Sequence, residues 1–363
     1  MKILVDGLPA NCGGIGTLII NLITFNKYKA NGDKILFEFL VPIGSEYIEF
    51  LKNEEYCYYE VPRIFSKHYK SKIKWIFENN KYDYVWINNT SKVNITLPRI
   101  AKKNNAIVIT HSHGVASEAT GVKSFLFSIF EFIYGKEFCS YIDIPFACSE
   151  LSADFFYPKD LRQKCKIVAN GIEIKKFIFN VFNRSDCRKK LGFNDDDIVM
   201  GAVGRLTKVK NYEFIINLMP QLPKNYKLII LGDGEDKSKL KDLISVNKLI
   251  DRVLLLGKQN NVEYFLSGMD IYLMPSLNEG LPFSLVEAQA NGLKCLVSTG
   301  VSEEAKIIEL VEFINLQNIE HWIESIMSDL PNESIRLDAN RIISEAGYSI
   351  ENSYEIFMNE LKR

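Results

Sequence analysis

Short runs of β-branched and apolar residues recur along this chain with helix-length segments between them, and that alternation limits the fold more than any other feature. A strand joined through a helix to the next strand lies parallel to it, so a long series of such units builds parallel sheets covered by helices on both faces. KILVD (2–6), ILFEFLV (35–41), YVWIN (84–88), AIVIT (106–110) and IPFACS (144–149) make one series. KIVANGIEI (166–174) looks like a crossover. A second series follows in IVMGAVG (198–204), YKLIILG (226–232), VLLLG (253–257), IYLMP (271–275) and KCLVS (294–298), separated by helical patterns such as EFIINLMPQL (213–222). The expected class is therefore α/β: two Rossmann-like, doubly wound parallel-sheet domains facing across a cleft. Their junction falls near residues 165–182. A length of 363 residues, 47% of them hydrophobic, suffices for two ordinary cores.

Charge and cysteine usage exclude several functions. The formal net charge is −1, so no overall positive field recruits nucleic acid, and no nucleic-acid partner is expected. The sign is uneven: residues 1–175 carry net +4 and the rest net −5. Seven scattered cysteines without metal-ligand spacing read as reduced thiols of a cytoplasmic protein. MKILVDGLPA turns polar after three apolar residues, too few for a signal-peptide core, and no uncharged run approaches the roughly 20 residues of a membrane-spanning helix.

NEGLPFSLVEAQANG (278–292) follows a short buried strand, Asp270 to Pro275. Gly280 frees the loop, Pro282 suits a first helical position, and Phe283 to Ala290 reads as a helix closed by Asn291-Gly292. Glu279 then falls beside the helix entrance and Glu287 on the second turn, at the strand ends where open parallel sheets bind ligands. In VGRLTKVKN (203–211), Arg205 and Lys210 leave another buried strand at the same edge. An Arg grips phosphate oxygens in pairs and a Lys adds a mobile point charge, so the two suit a diphosphate, unless they are simply solvated loop charges. Near the N-terminus, NCGGIGT places Gly13, Gly14, Ile15 and Gly16 before a helix expected from about Thr17 to Lys27, where backbone N–H groups can approach an anion. The glycine spacing is not that of a dinucleotide fold, and ILFEFLVP does not end on an acid, which disfavours a nicotinamide dehydrogenase.

GGIG (13–16), HSHG (111–114), ACSE (147–150), NGIEIKKF (170–177), VGRLTKVKN, LGDGE (231–235) and EGLPFSLVEAQANG occur in one order over nearly the whole chain. In these pieces the sequence resembles family 4 retaining glycosyltransferases of the GT-B fold, and within them it is most similar to bacterial capsule and exopolysaccharide transferases. Glu279, seven residues and Glu287 match that family's signature. The resemblance implies an N-terminal acceptor-binding domain (1–168), a C-terminal nucleotide-sugar-binding domain (169–345) and a last helical segment (346–363) that returns to the first. It implies a nucleotide-sugar donor, UDP-linked by family weight, as co-substrate, with no cofactor or metal required. Glu287 would take the ribose and Glu279 the donor sugar, each carboxylate accepting from neighbouring hydroxyls. Gly280 and Leu281, at the helix start, would face the diphosphate, and Arg205 and Lys210 would offset its charge. Glu279, His111, Arg205 and Lys210 would form the catalytic group. His111 is favoured over His113 as the histidine that contacts the donor.

The remaining features are softer. Asp195, Asp196 and Asp197 precede a strand, at the edge opposite the ligand crevice, so they are not read as metal ligands. A glycosidase also uses two carboxylates, but that reading leaves Arg205, Lys210 and the glycine loop unexplained. VPRIFSKHYKSKIKWIF (61–77) is basic with interleaved aromatics, and KSFLFSIFEFIYGKEF (123–138) is apolar almost all round. They suggest contact with an anionic membrane surface and a glycan or lipid-linked oligosaccharide acceptor at its inner face; a solvated basic face and an internal helix are the alternatives. Lys294 stands where the family commonly has Pro, which puts the local loop shape in doubt. A nucleotide-sugar-binding subunit without transfer, or an epimerase on the same fold, remains as a different reading.

Overall fold

The computed structural model describes residues 1–10, 13–29, 35–114 and 122–362, with the side chains of 122–128 and 130 left aside. Asn11 and Cys12 of the glycine-loop motif, and Arg363, lie outside the described residues. The strands are β1 (Lys2–Asp6), β2 (Leu36–Pro42), β3 (Cys57–Val61), β4 (Tyr84–Asn89), β5 (Ile107–Ser112), β6 (Ile144–Ala147), β7 (Lys166–Ile167), β8 (Ile198–Val203), β9 (Tyr226–Leu231), β10 (Val253–Gly257), β11 (Ile271–Met274), β12 (Lys294–Ser298) and β13 (Val311–Ile314). A seven-stranded sheet has the order β3-β2-β1-β4-β5-β6-β7 and a six-stranded sheet the order β10-β9-β8-β11-β12-β13. Every ladder is parallel. Each sheet starts at an inner strand, winds to one edge, then jumps back to the other side of its starting strand. The winding reverses between β1 and β4 in one sheet and between β8 and β11 in the other. The fold is α/β, with two Rossmann-like doubly wound domains.

Two compact units contain these sheets: residues 1–171 with 350–363, and residues 172–349. In the first, Leu4, Val85 and Val108 pack beneath Tyr69, Ile73, Ile76 and Leu97 from the helices Lys67–Asn79 and Thr96–Lys103. The other face of the sheet is closed by the Gly14–Lys29 and Ile350–Leu361 helices. Phe357 lies 4.6 Å from the Trp86 ring and 5.6 Å from Phe146, while Tyr354 meets Phe25 edge-on at 5.2 Å. Side chains buried as fully as Phe357, Trp86 and Phe146 contribute about 1.5–3 kcal/mol each.

In the second unit β11 and β12 are buried along their whole length, as inner strands of a parallel sheet are when helices cover both faces. Leu228, Ile230 and Leu273 pack with Ile215, Ile216 and Trp322. The buried arginines and Lys294 of this unit are engaged with partners. Arg184 and Arg188 share the Asp270 carboxylate at 2.6 and 3.0 Å, and Arg336 donates to the Met269 carbonyl at 3.0 Å while lying 3.9 Å over the Phe179 ring. Lys294 is buried with them: its ammonium donates to the Ser325 carbonyl at 2.6 Å, to the Ser328 hydroxyl and to the Asp329 carbonyl at 3.4 Å. It satisfies carbonyls where the Ile319–Met327 helix ends, a task for which proline has no donor.

Three details differ from the sequence reading. The strands β3, β7 and β13 were not anticipated. They lie at sheet edges, where exposed Glu60 and half-buried Glu312 break the apolar run. The first helix starts at Gly14, so Gly14, Ile15 and Gly16 sit in its first turn instead of ahead of it. The segment at 123–138 belongs to the Val122–Ser140 helix, on which Phe132 is 89% exposed and so does not read as internal. Among the described residues no helix is long and apolar enough to cross a membrane.

Candidate functional site

The site forms where the six-stranded sheet reverses its winding, because the loops that leave β8 and β11 there have no crossover helix between them and open a crevice at the strand ends. Glycine shapes the β8 exit. Gly204, at φ +152°, lies so close to the β9 exit that a side chain on Gly232 would come within 1.9 Å of its carbonyl oxygen. The two loops are then stitched together. Asn211, at φ 53° in the left-handed region, donates its amide to the Pro275 carbonyl at 3.1 Å, and the Leu277 N–H donates to Val209 at 2.7 Å.

This stitching brings Lys210 to Glu279. The ammonium lies 2.8 Å from the carboxylate, with the two side chains 16% and 20% exposed, so the pair is half-sheltered yet reachable. Glu279 is also held by its backbone: its N–H donates to Gly300 at 3.1 Å and its carbonyl accepts from Ser302 at 3.0 Å, a one-residue bridge to Val301. Beside it Gly280 faces open space, and Leu281 and Pro282 lead into the Phe283–Ala290 helix. The first N–H groups of that helix have no partner within it and point toward the loop.

The other two charges take different partners. Arg205 is half-exposed and lies 3.6 Å from Glu235 in the β9 exit loop. Glu287, half-buried on the second helical turn, has its carboxyl pushed up to about 7, chiefly by burial, with Lys176 working against the shift and Glu263 adding to it. Lys176 itself lies 3.6 Å from Glu263. Lys210 and Glu279 therefore form one direct pair, whereas Arg205 and Glu287 each belong to a neighbouring cluster. Lys176 and Glu263 were not singled out from sequence. Lys176 falls within the NGIEIKKF piece, in the short Ile174–Phe177 turn, and Glu263 lies on the Val262–Gly268 helix outside the quoted motifs.

In the first unit, Gly13 carries its N–H 3.2 Å from the Tyr47 hydroxyl, and a side chain on Gly16 would come within 1.9 Å of that hydroxyl. Gly13 and Gly14 are exposed, Ile15 half-buried and Gly16 buried. His111, the histidine favoured from sequence, lies inside the sheet. It has no exposed surface, its Nε2 lies 3.1 Å from the Val168 carbonyl, and burial pushes its pKa down to about 3, so the ring is neutral and sealed within the sheet. The half-buried ring at this strand end is His113, whose Nε2 lies 3.0 Å from Asn88 Oδ1. Asp6 at the end of β1 went unremarked from sequence; burial pushes its carboxyl up to about 6. Of the three consecutive acids, Asp197 accepts the Asn194 N–H at 2.8 Å ahead of β8, a turn-closing contact at the sheet end away from Lys210.

Residues 183–348 match the family model described as glycosyl transferases group 1. A putative glycosyltransferase, EpsF, of Bacillus subtilis (strain 168) is 30% identical over 187 residues, 50% of this chain and 49% of that protein. A UDP-Gal:alpha-D-GlcNAc-diphosphoundecaprenol alpha-1,3-galactosyltransferase of Escherichia coli is 31% identical over 234 residues, 61% of this chain and 59% of that protein. The alignments thus span 49–59% of the length of these curated relatives. Among solved structures, Anabaena Alr3699/HepE in complex with UDP superposes with a TM-score of 0.79 over 100% of both chains at 16% identity. The same protein in complex with UDP-glucose gives 0.77. WaaG, a glycosyltransferase involved in lipopolysaccharide biosynthesis, gives 0.66 over 95% of this chain and 94% of that one, at 13% identity. At such identities the likeness is one of fold, and the fold is GT-B.

Proposed function

We propose that this chain, which belongs to the glycosyl transferases group 1 family through its second unit, is a retaining glycosyltransferase that moves a sugar from a UDP-sugar to a glycan acceptor carried on a lipid. The observation that carries the reading is the Lys210–Glu279 pair at the β8/β11 reversal, a cation and a hydroxyl acceptor beside an open helix start. The relatives support the finer terms. One is named for a UDP-galactose donor and a diphosphoundecaprenol acceptor, and a structural neighbour was solved with UDP-glucose.

In this reading Glu279 accepts hydrogen bonds from the donor sugar and Glu287 from the ribose, each charge-assisted bond worth about 1.5–3 kcal/mol. The acceptor oxygen bonds to the anomeric carbon as the carbon–oxygen bond to the diphosphate breaks. The electron pair leaves with the β-phosphate, and the acceptor proton follows it on the same face. Lys210, with Arg205 from the same β8 exit loop and the first N–H groups of the Phe283–Ala290 helix, stabilises that leaving charge. Removal of one such preplaced donor costs roughly 100- to 1000-fold in rate. No metal is required for this step. The first unit would hold the acceptor, with His113 in place of His111 as its contribution to the chemistry and the Gly13–Gly16 turn as an anion contact. Its basic Lys67–Asn79 helix would rest on the anionic inner face of the cell membrane, in capsule or exopolysaccharide synthesis.

A thermal-shift screen against UDP-sugars, followed by acceptor trials with the hit, tests the reading. Glu279→Ala is expected to abolish transfer and keep UDP binding, whereas Lys210→Ala weakens both and Arg205→Ala does so less. Release of UDP that needs no acceptor, or none at all beside intact binding, would point instead to an epimerase or a binding subunit.

A further inference from the structure

A buried hydroxyl at the β8/β11 edge has no hydrogen-bond partner among the described residues. It belongs to Tyr212, the first residue of the Tyr212–Leu218 helix, which is 3% exposed. Leaving such a group unpaired costs stability, and phenylalanine would fill the same space without that cost. The hydroxyl faces a defined place. A side chain built on Gly204 would lie 2.7 Å from the Tyr212 oxygen and 3.4 Å from Lys210 Nζ, so the phenol and the ammonium flank one point. From there Lys210 reaches the Glu279 carboxylate at 2.8 Å. Glu279 is in turn close enough to act on Tyr212, whose ionisation is suppressed first by burial and then by that carboxylate.

The arrangement poses a problem of partners. Lys210 is the only cation paired with Glu279 among the described residues, and in the nucleotide-sugar reading it must also serve an incoming diphosphate. As Lys210 turns to the phosphate, the half-sheltered carboxylate would be left beside a second negative charge. A neutral donor on the other side of Lys210 is then the partner that can hold Glu279 in place without drawing on the charge the phosphate needs.

We infer that Tyr212 is a positioning residue for Glu279, its idle hydroxyl taking over the carboxylate when a diphosphate draws Lys210 away. The inference rests on the nucleotide-sugar reading and adds a partner exchange to it. The Tyr212 O–H donates, a Glu279 oxygen accepts, and no proton is transferred.

The test is UDP calorimetry and thermal unfolding on the intact protein, Tyr212→Phe, Glu279→Ala and the double variant. Without ligand, Tyr212→Phe is expected to unfold at the same or a higher temperature, because only an unpaired group is removed. Its UDP affinity is expected to fall about tenfold, the scale of one hydrogen bond to a charged group. In the Glu279→Ala background the same change is expected to leave UDP affinity unaltered. Equal UDP affinity in the intact protein and Tyr212→Phe would overturn the inference, as would an equal loss without Glu279. A Tyr212→Phe protein less stable without ligand, or unfolded, would overturn it too, since the hydroxyl would then be serving the fold. If the intact protein binds none of UDP, ADP and GDP, the nucleotide reading itself falls and takes this inference with it.

Discussion

Glu287 faces Lys176 from the crossover, Glu263 from the Val262–Gly268 helix and Tyr272 from β11, and its carboxyl sits at about 7 against an ordinary 4.5. Between those values the folded protein binds more protons than the unfolded chain, so the stability that Glu287 contributes falls as pH rises through this window. Glu287→Gln is expected to flatten the decline in unfolding free energy between about pH 4.5 and about pH 7, read by urea titration. Ribose hydroxyls need the ionised form as acceptor, so UDP affinity in the unaltered protein is expected to rise through the same window and to lose that rise in the variant. The spacing of Glu279 and Glu287, and the presence of Lys210 and Arg205 at a strand exit, were legible because charge and strand pattern are written locally. Which cation meets which carboxylate was not. That depends on the Asn211–Pro275 and Leu277–Val209 bonds between loops more than 60 residues apart in the chain. The burial of His111 was not legible for a related reason: it lies one residue inside β5, between β4 and β6, where the Val168 carbonyl meets it.

Inner strands were readable as apolar runs because helices cover both their faces, whereas β3 and β13, with one neighbour each, carry polar residues that hide them. The Phe283–Ala290 helix was legible to the residue, since Pro282 and Asn291-Gly292 mark both ends. Lys294 shows the opposite case, a single charged side chain whose sense appears only with the helix end it serves. The Lys67–Asn79 helix carries the membrane proposal. Ser66 caps it, Ile73, Ile76 and Phe77 are buried, and Lys67, Lys70 and Lys74 are exposed. Trp75 is 48% exposed and Phe65, just ahead of the cap, 66%. Cations beside half-exposed aromatics suit an anionic interface, each near-surface cation adding about 1 kcal/mol. The intact protein is expected to co-sediment with vesicles containing anionic lipid at low salt and to be released as salt rises. Lys67, Lys70 and Lys74 changed together to Gln should abolish this, and binding that persists in the triple variant would refute the assignment.

The alternation of strands and helices was enough to read two doubly wound sheets across the whole chain, because that rule depends on order and not on contact. What no local pattern states is that residues 350–361 complete the first unit after the second has been made. Phe357, 1% exposed against Trp86 and Phe146, is central to that completion. Phe357→Ala is expected to destabilise the first unit by about 3–5 kcal/mol. Trp86 in that unit and Trp322 in the other give fluorescence reporters, and retained UDP binding by the variant would localise the damage. The chain passes between units twice, and the two passages run side by side, with the Ile172 N–H donating to Tyr348 at 2.9 Å. On a ribosome this topology sets a schedule. The second unit emerges as one uninterrupted segment and is free to fold at once, while the aromatic face of the older unit waits bare through some 180 further residues of synthesis. That face is closed only when the last helix has been made.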